Sequence, residues 1–252
     1  MNKIKPQLSA VIITKNEEKK IKDCINSVFF ADEIIVIDSR SSDRTIAIVK
    51  SFGEKVVTYE SDFKDFATQK NFALSKAKND WVLFVDADER ISVDLKEEIQ
   101  NALAQKKFSA FSIRRKNFFF GFYQWPEIEK MERLFLKKKL EGWSGSLHES
   151  PKYEGELGEL NNFLLHYTHD DLFSMVEKSN QWSEIEAETI FNSNHPKMAW
   201  WRFIHVMLIK FFDSFIRKKG YQLGTVGFIE SIYQAFSYFI TYAKLWEKQN
   251  KR

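Results

Sequence analysis

Apolar residues in the first hundred positions fall into short blocks separated by polar turns. Leu8–Thr14 and Glu33–Asp38 are β-branched runs of the kind that fill a strand buried on both faces, and residues 55–59 and Trp81–Asp86 continue the series. Between them the period changes. Residues 17–29 carry Ile21, Cys24, Ile25, Val28 and Phe29 at helical spacing, with acidic residues in the first turn. Asp43 is placed to cap a helix running to Val49, and residues 65–77 and 93–104 predict two more. Strands alternating with helices at this spacing predict βαβ units, and hence an α/β fold with a mainly parallel, doubly wound sheet. Beyond Lys107 the pattern predicts strands over 108–120 and 131–137, joined by an aromatic loop with Gly121, Trp125 and Pro126, then a helix over 170–192.

In such sheets ligands bind at the carboxyl ends of the strands, so the polar residues there carry the candidate chemistry. Asp86-Ala-Asp88 ends the fourth strand. Two carboxylates at that spacing can share a hard divalent cation, Mg²⁺ or Mn²⁺, whose remaining ligands are phosphate oxygens; the competing reading is a solvated acidic turn. Asp38-Ser-Arg-Ser-Ser-Asp43-Arg-Thr45 ends the second strand. Asp38 there can accept hydrogen bonds from a base or ribose, or the segment is simply a capped strand-to-helix turn. No Gly-x-Gly-x-x-Gly is present, which argues against a dinucleotide enzyme. Cys24 lies on an apolar helix face and reads as core filler.

Thr14-Lys-Asn-Glu-Glu18, Asp38-Ser-x-Ser-x-Asp43-x-Thr45, Gln69-Lys-Asn71 and Val85-Asp-Ala-Asp-Glu89, in that order, resemble glycosyltransferase family 2. Arg114-Arg-Lys-Asn117, Arg133-Leu-Phe135, Trp143-Ser-Gly-Ser-Leu-His-Glu149 and Leu165-His-Tyr167 resemble its branch of lipopolysaccharide-core β-glucosyltransferases. The resemblance implies a GT-A (Rossmann-like) fold over residues 1–195, a nucleotide-sugar donor, UDP-linked by expectation, and inverting, metal-dependent hexosyl transfer. By it Thr14, Asn16, Glu17, Asp38, Lys70 and Asp86 bind the nucleotide, and Asp86, Asp88 and His166 hold the metal. Glu149 is the base that takes the acceptor hydroxyl proton, with His148 orienting groups beside it. Arg133 and Lys178 are candidate contacts to phosphate or acceptor. The expected acceptor is a cell-envelope saccharide or lipid-linked glycolipid. Two alternatives stand beside it: a polyprenyl-phosphate acceptor, which needs no base, and a non-catalytic membrane-associated protein that binds sugar nucleotides.

Charge separates the end of the chain from the rest. Of the net charge of +3, residues 196–252 hold ten Lys and Arg against three acidic residues, a surplus of seven that leaves the first 195 residues at −4. The same stretch holds fourteen aromatics. Charges recur too often there for a membrane span, so the tail predicts two amphipathic helices lying on an anionic membrane surface, or else packed on the body. So small an overall surplus speaks against nucleic acid as partner. A single cysteine and an opening without an apolar run predict a cytoplasmic protein, peripheral on the inner face of the membrane.

Overall fold

The computed structural model describes residues 6–62, 65–145 and 149–251. They form two compact units: the chain up to Lys116 with Glu129–His166, and Asn117–Ile128 with the chain from Tyr167 onward.

The first unit begins with β1 (Leu8–Thr14), α1 (Ile21–Val28), β2 (Glu33–Asp38), α2 (Thr45–Lys50), β3 (Val56–Glu60), α3 (Phe66–Lys76) and β4 (Trp81–Asp86). Then come β5 (Glu89–Ile91), α4 (Val93–Ala102), β6 (Phe108–Phe119), β7 (Tyr123–Leu136), β8 (Leu140–Ser144), β9 (Ser150–Tyr153) and β10 (Glu156–His169). Eight strands make one sheet in the order β3-β2-β1-β4-β7-β6-β10-β5, and β8 and β9 form a separate antiparallel pair. The β3-β2-β1-β4 half is parallel, whereas β7 runs antiparallel to β4 and β5 antiparallel to β10.

The continuous apolar runs follow from burial on both faces. Leu8, Ala10 and Ile12 of β1, Ile34 and Val36 of β2, and Trp81, Leu83 and Val85 of β4 join one core with α1 and α4. The alternate residues Val11, Ile13, Ile35, Ile37, Val82 and Phe84 join a second core with α3 and β8. Cys24 is buried in the first core, and burial pushes its thiol well above the ordinary range, so it is filler. Side-chain caps set helix starts: Asp65 accepts from Thr68 N for α3 and Ser92 from Leu95 N for α4.

One expectation is corrected and four strands are added. Trp125 and Pro126 belong to β7, which starts at Tyr123 rather than 131. The strands β5, β8, β9 and β10 were not legible: β5 has three residues, and β10 buries only Gly158, Leu160 and Leu164 of its fourteen, too few for an apolar run. His166 lies within β10, the last strand.

The second unit holds α5 (Leu172–Asn192), α6 (Trp200–Phe212), a π-helical turn at Asp213–Arg217, a 3-10 turn at Gly220–Leu223 and α7 (Gly224–Asn250). Asp171 caps α5 by accepting from Ser174 N. Small residues of α5, Ser179, Ser183 and Ala187, are buried, and Ser179 hydrogen-bonds Tyr233 and Ser237 of α7. A Cβ at Gly227 would overlap the Gly220 carbonyl, so glycine there lets α7 close on the preceding turn. The change of charge after residue 195 thus falls inside this unit. Among the described residues no helix is long and apolar enough to cross a membrane.

Candidate active site

β1 lies between β2 and β4, so the chain leaves it toward one side and returns on the other, which opens a crevice at the carboxyl ends. Register places the predicted residues there. Thr14 pairs with Asp38 at the ends of β1 and β2, and Ile13 pairs with Asp86 at the end of β4. Thr14 and Asp38 are buried; the Thr14 hydroxyl has no hydrogen-bond partner among the described residues, and Asp38 accepts from Ser41 N at 3.0 Å and Ser41 Oγ at 2.6 Å.

Asn16 and Glu17 brace this rim. Asn16, in a left-handed conformation (φ 54°), accepts from Ser42 N through Oδ1 and donates its backbone N–H to Ser41 Oγ. Glu17 N donates to Thr45 Oγ1, and Glu18 N to Asp43 Oδ2. Two loops far apart in sequence are thereby fixed side by side.

After Asp86 the chain turns within two residues into β5, which pairs with β10 so that Glu89 lies opposite His166. That return brings His166 Nε2 to 3.3 Å from Asp88 Oδ2. Asp86 faces elsewhere: its Oδ2 accepts from Arg133 Nη2 at 2.6 Å. Burial works against its charge, but Arg133 and then Lys70 hold its carboxyl well below the usual carboxylate range, with His166 adding to the effect. Arg133 is likewise held charged against burial by Asp86 and Glu89. Among the described residues no three His, Cys, Asp or Glu side chains converge as a metal cluster. Asp88 and His166 are two donors already in place, which fits a hard cation that completes its shell with phosphate oxygens.

The Gln69-Lys-Asn71 segment joins α3 to the β8–β9 region. Asn71 clamps the Trp143 backbone, accepting from its N–H at 2.7 Å and donating to its carbonyl at 2.9 Å. Lys70 Nζ lies 4.2 Å above the Trp143 ring and donates to Glu149 Oε1 at 2.5 Å. Glu149 sits just before β9, and both partners of this pair are largely buried. They line a cavity of about 590 Å³ together with Arg133, Lys130, Glu132 and Glu159.

The first unit thus gathers Lys70, Asp86, Asp88, Arg133, Glu149 and His166. His148 falls outside the described residues. Lys178 lies half-buried on α5 of the second unit. Sequence reasoning missed Glu89 and Arg115. Glu89 is fully buried, accepts from Asp86 N at 2.9 Å and from Arg133 and Arg115 at 3.0 Å each, and so fixes the strand end. Glu89 and Arg115 both stand inside motifs that carry the family resemblance, Val85-Asp-Ala-Asp-Glu89 and Arg114-Arg-Lys-Asn117, where no role was assigned to them.

The family model for glycosyl transferase family 2 matches residues 9–161. The chain belongs to this family. An uncharacterized glycosyltransferase of Rickettsia typhi is 32% identical over 258 residues, covering 96% of this chain and 87% of that protein. The lipopolysaccharide core biosynthesis glycosyltransferase LpsC of Rhizobium meliloti is 29% identical over 250 residues, covering 96% of this chain and 92% of LpsC. Among solved structures, the mannosyltransferase PcManGT of Pyrobaculum calidifontis, in complex with GDP-Man and Mn²⁺, shares the fold at TM-score 0.56 and 14% identity, over 97% of this chain and 88% of that one. S. aureus TarS 1–349 with UDP-GlcNAc does so at TM-score 0.51 and 15% identity, over 96% and 88%. The GT-A fold and the glycosyltransferase class expected from the motifs both stand, and the Asp86-Ala-Asp88 segment belongs to a family 2 glycosyltransferase.

Proposed function

We propose that this glycosyltransferase moves a hexose, with inversion, from a UDP-linked donor to a hydroxyl of a lipid-linked cell-envelope saccharide at the cytoplasmic face of a membrane. The observation that carries the proposal is the convergence of Asp88 with His166 and of Lys70 with Glu149 around one carboxylate, Asp86, whose charge both Lys70 and His166 favour.

Thr14 and Asp38, paired at the rim, receive the base and ribose. Asp88 and His166 hold the divalent cation, which when bound stabilises negative charge on the departing diphosphate. Arg133 holds the Asp86 carboxylate, and Glu89 holds the Asp86 backbone N–H. Lys70 pairs with Glu149 before the donor arrives; a diphosphate draws the ammonium away and leaves the carboxylate free as base. The acceptor oxygen then attacks the anomeric carbon as its proton passes to Glu149, and the bond to the diphosphate oxygen breaks with the electron pair on that oxygen.

The cavity beside Glu149 supports a hydroxyl acceptor over a polyprenyl phosphate. Its cations are already matched: Lys70 with Glu149, Lys130 with Glu159 at 2.6 Å, and Arg133 with Asp86 and Glu89. Once Lys70 turns to the donor diphosphate, Lys130 and Arg133 stay matched, and a phosphate acceptor would meet the freed Glu149 carboxylate with no positive charge to spare.

Glu149→Gln tests the assignment. It should lower kcat by about 10²–10⁴-fold while nucleotide binding persists. Turnover close to wild type would instead point to an acceptor that is already ionised.

A further inference from the structure

Helix α6 is turned inside out relative to an ordinary surface helix. None of its thirteen residues is buried. Its exposed positions are Trp200, Trp201, Ile204, Leu208, Ile209 and Phe212, with His205 the only polar residue among them. Ile216, in the π-helical turn that follows, extends the four-residue spacing of 200, 204, 208 and 212 and is 54% exposed, while Trp200 is 75% exposed. The opposite side is occupied: Phe203 packs on Phe239 and Phe211 on Phe228, both of α7. A monomer in water rarely presents so long an apolar stripe without something to cover it.

We infer that this face of α6 docks on an anionic lipid bilayer, lying in its interface. The inference rests on the lipid-linked-acceptor reading for its purpose and on charge for its partner. From 196 to 229 the chain has six Lys and Arg and one acid, Asp213, which is paired with Arg217. Arg202 and Lys219 lie along the same segment as the apolar stripe, where anionic headgroups would meet them while the tryptophans sit at headgroup depth, whereas Lys210 turns to the other side, over the Tyr238 ring of α7. At about 20 Å, α6 is too short to cross the roughly 30 Å hydrocarbon core, so it lies along the surface. A protein partner of matching shape would need no such bias of charge.

Sedimentation of the full chain with vesicles tests this. Wild type should pellet with phosphatidylcholine vesicles containing phosphatidylglycerol, and much less with phosphatidylcholine alone. Ile204→Glu combined with Leu208→Glu, both at exposed helical positions, should weaken the partition by about 100-fold. The same double variant should keep the wild-type melting point and its shift with UDP and Mn²⁺, so loss of vesicle binding is separable from failure of the donor site. Three results would overturn the inference: no binding of wild type to the anionic vesicles, binding unaffected by the double variant, or a concentration-dependent dimer in solution that the double variant abolishes.

Discussion

Two acidic side chains, one in each compact unit, show how differently the same group is used. Asp86 in the first unit is held below the carboxylate range by Arg133, despite the opposing effect of burial. Glu230 in the second unit is buried on α7 with no cation beside it among the described residues: burial pushes its carboxyl up to about 7, opposed by a hydrogen bond from Gln234, and its Oε2 has no partner among them. The first unit sets charge in matched pairs, Lys70 with Glu149 and Arg133 with Asp86 and Glu89, with Lys70, Arg133 and Glu89 buried, and these would keep charged groups fixed where the proposed transfer handles a diphosphate and a proton. The second unit does the reverse, turning apolar side chains of α6 outward and keeping one acid inside near neutrality. In the proposed reading the matched pairs serve the transfer and the exposed apolar stripe serves docking.

Breaking the matched pair should have the larger effect. Arg133→Met leaves Asp86 and Glu89 without their shared guanidinium and should destabilise the protein by about 3–5 kcal/mol, a fall in Tm on the order of 10 °C. Its pH dependence should also change sign. In wild type the depressed Asp86 contributes stability that is complete above about pH 4 and is lost only as pH falls through its low folded value. Without Arg133, mild acid should relieve the variant rather than harm it, which melting curves between pH 4 and 8 would show.

Glu230→Gln should do less, and in the opposite sense. Because the folded pKa is raised from 4.5 to about 7, the native state binds its proton more tightly than the unfolded chain does, so wild-type stability declines as pH rises between those values. The variant should match wild type near pH 5 and exceed it at pH 8.5 by on the order of 1–3 kcal/mol. Equal melting points at both values would mean that Glu230 is not buried as an unpaired acid.

Legibility in the sequence followed the same divide. The boundaries of β1, β2 and β4 agree with the apolar runs residue for residue, because strands covered on both faces show no alternation to misread. The candidate residues Lys70, Asp86, Asp88, Glu149 and His166 came from motif order, and the structure brings them together. Glu89 and Arg115 were missed because a buried charge is visible only once its partner is in place, and Arg115 is supplied by β6, twenty-six residues away. In the tail, helical spacing announced amphipathic helices but not which face would be turned to solvent. That depended on how α7 packs, with Glu230 and Ser231 inward.

The central claim, a metal-assisted nucleotide-sugar site built on Asp88, is tested most directly by thermal melting with UDP, GDP and CMP, each with and without Mn²⁺, on wild type and Asp88→Asn. A nucleotide at 100 times its Kd stabilises by about 2.7 kcal/mol, or roughly 5–10 °C for a chain of this size. UDP should give a shift that requires Mn²⁺ and disappears in Asp88→Asn. An equal shift without the metal, or one that survives the substitution, would contradict the claim.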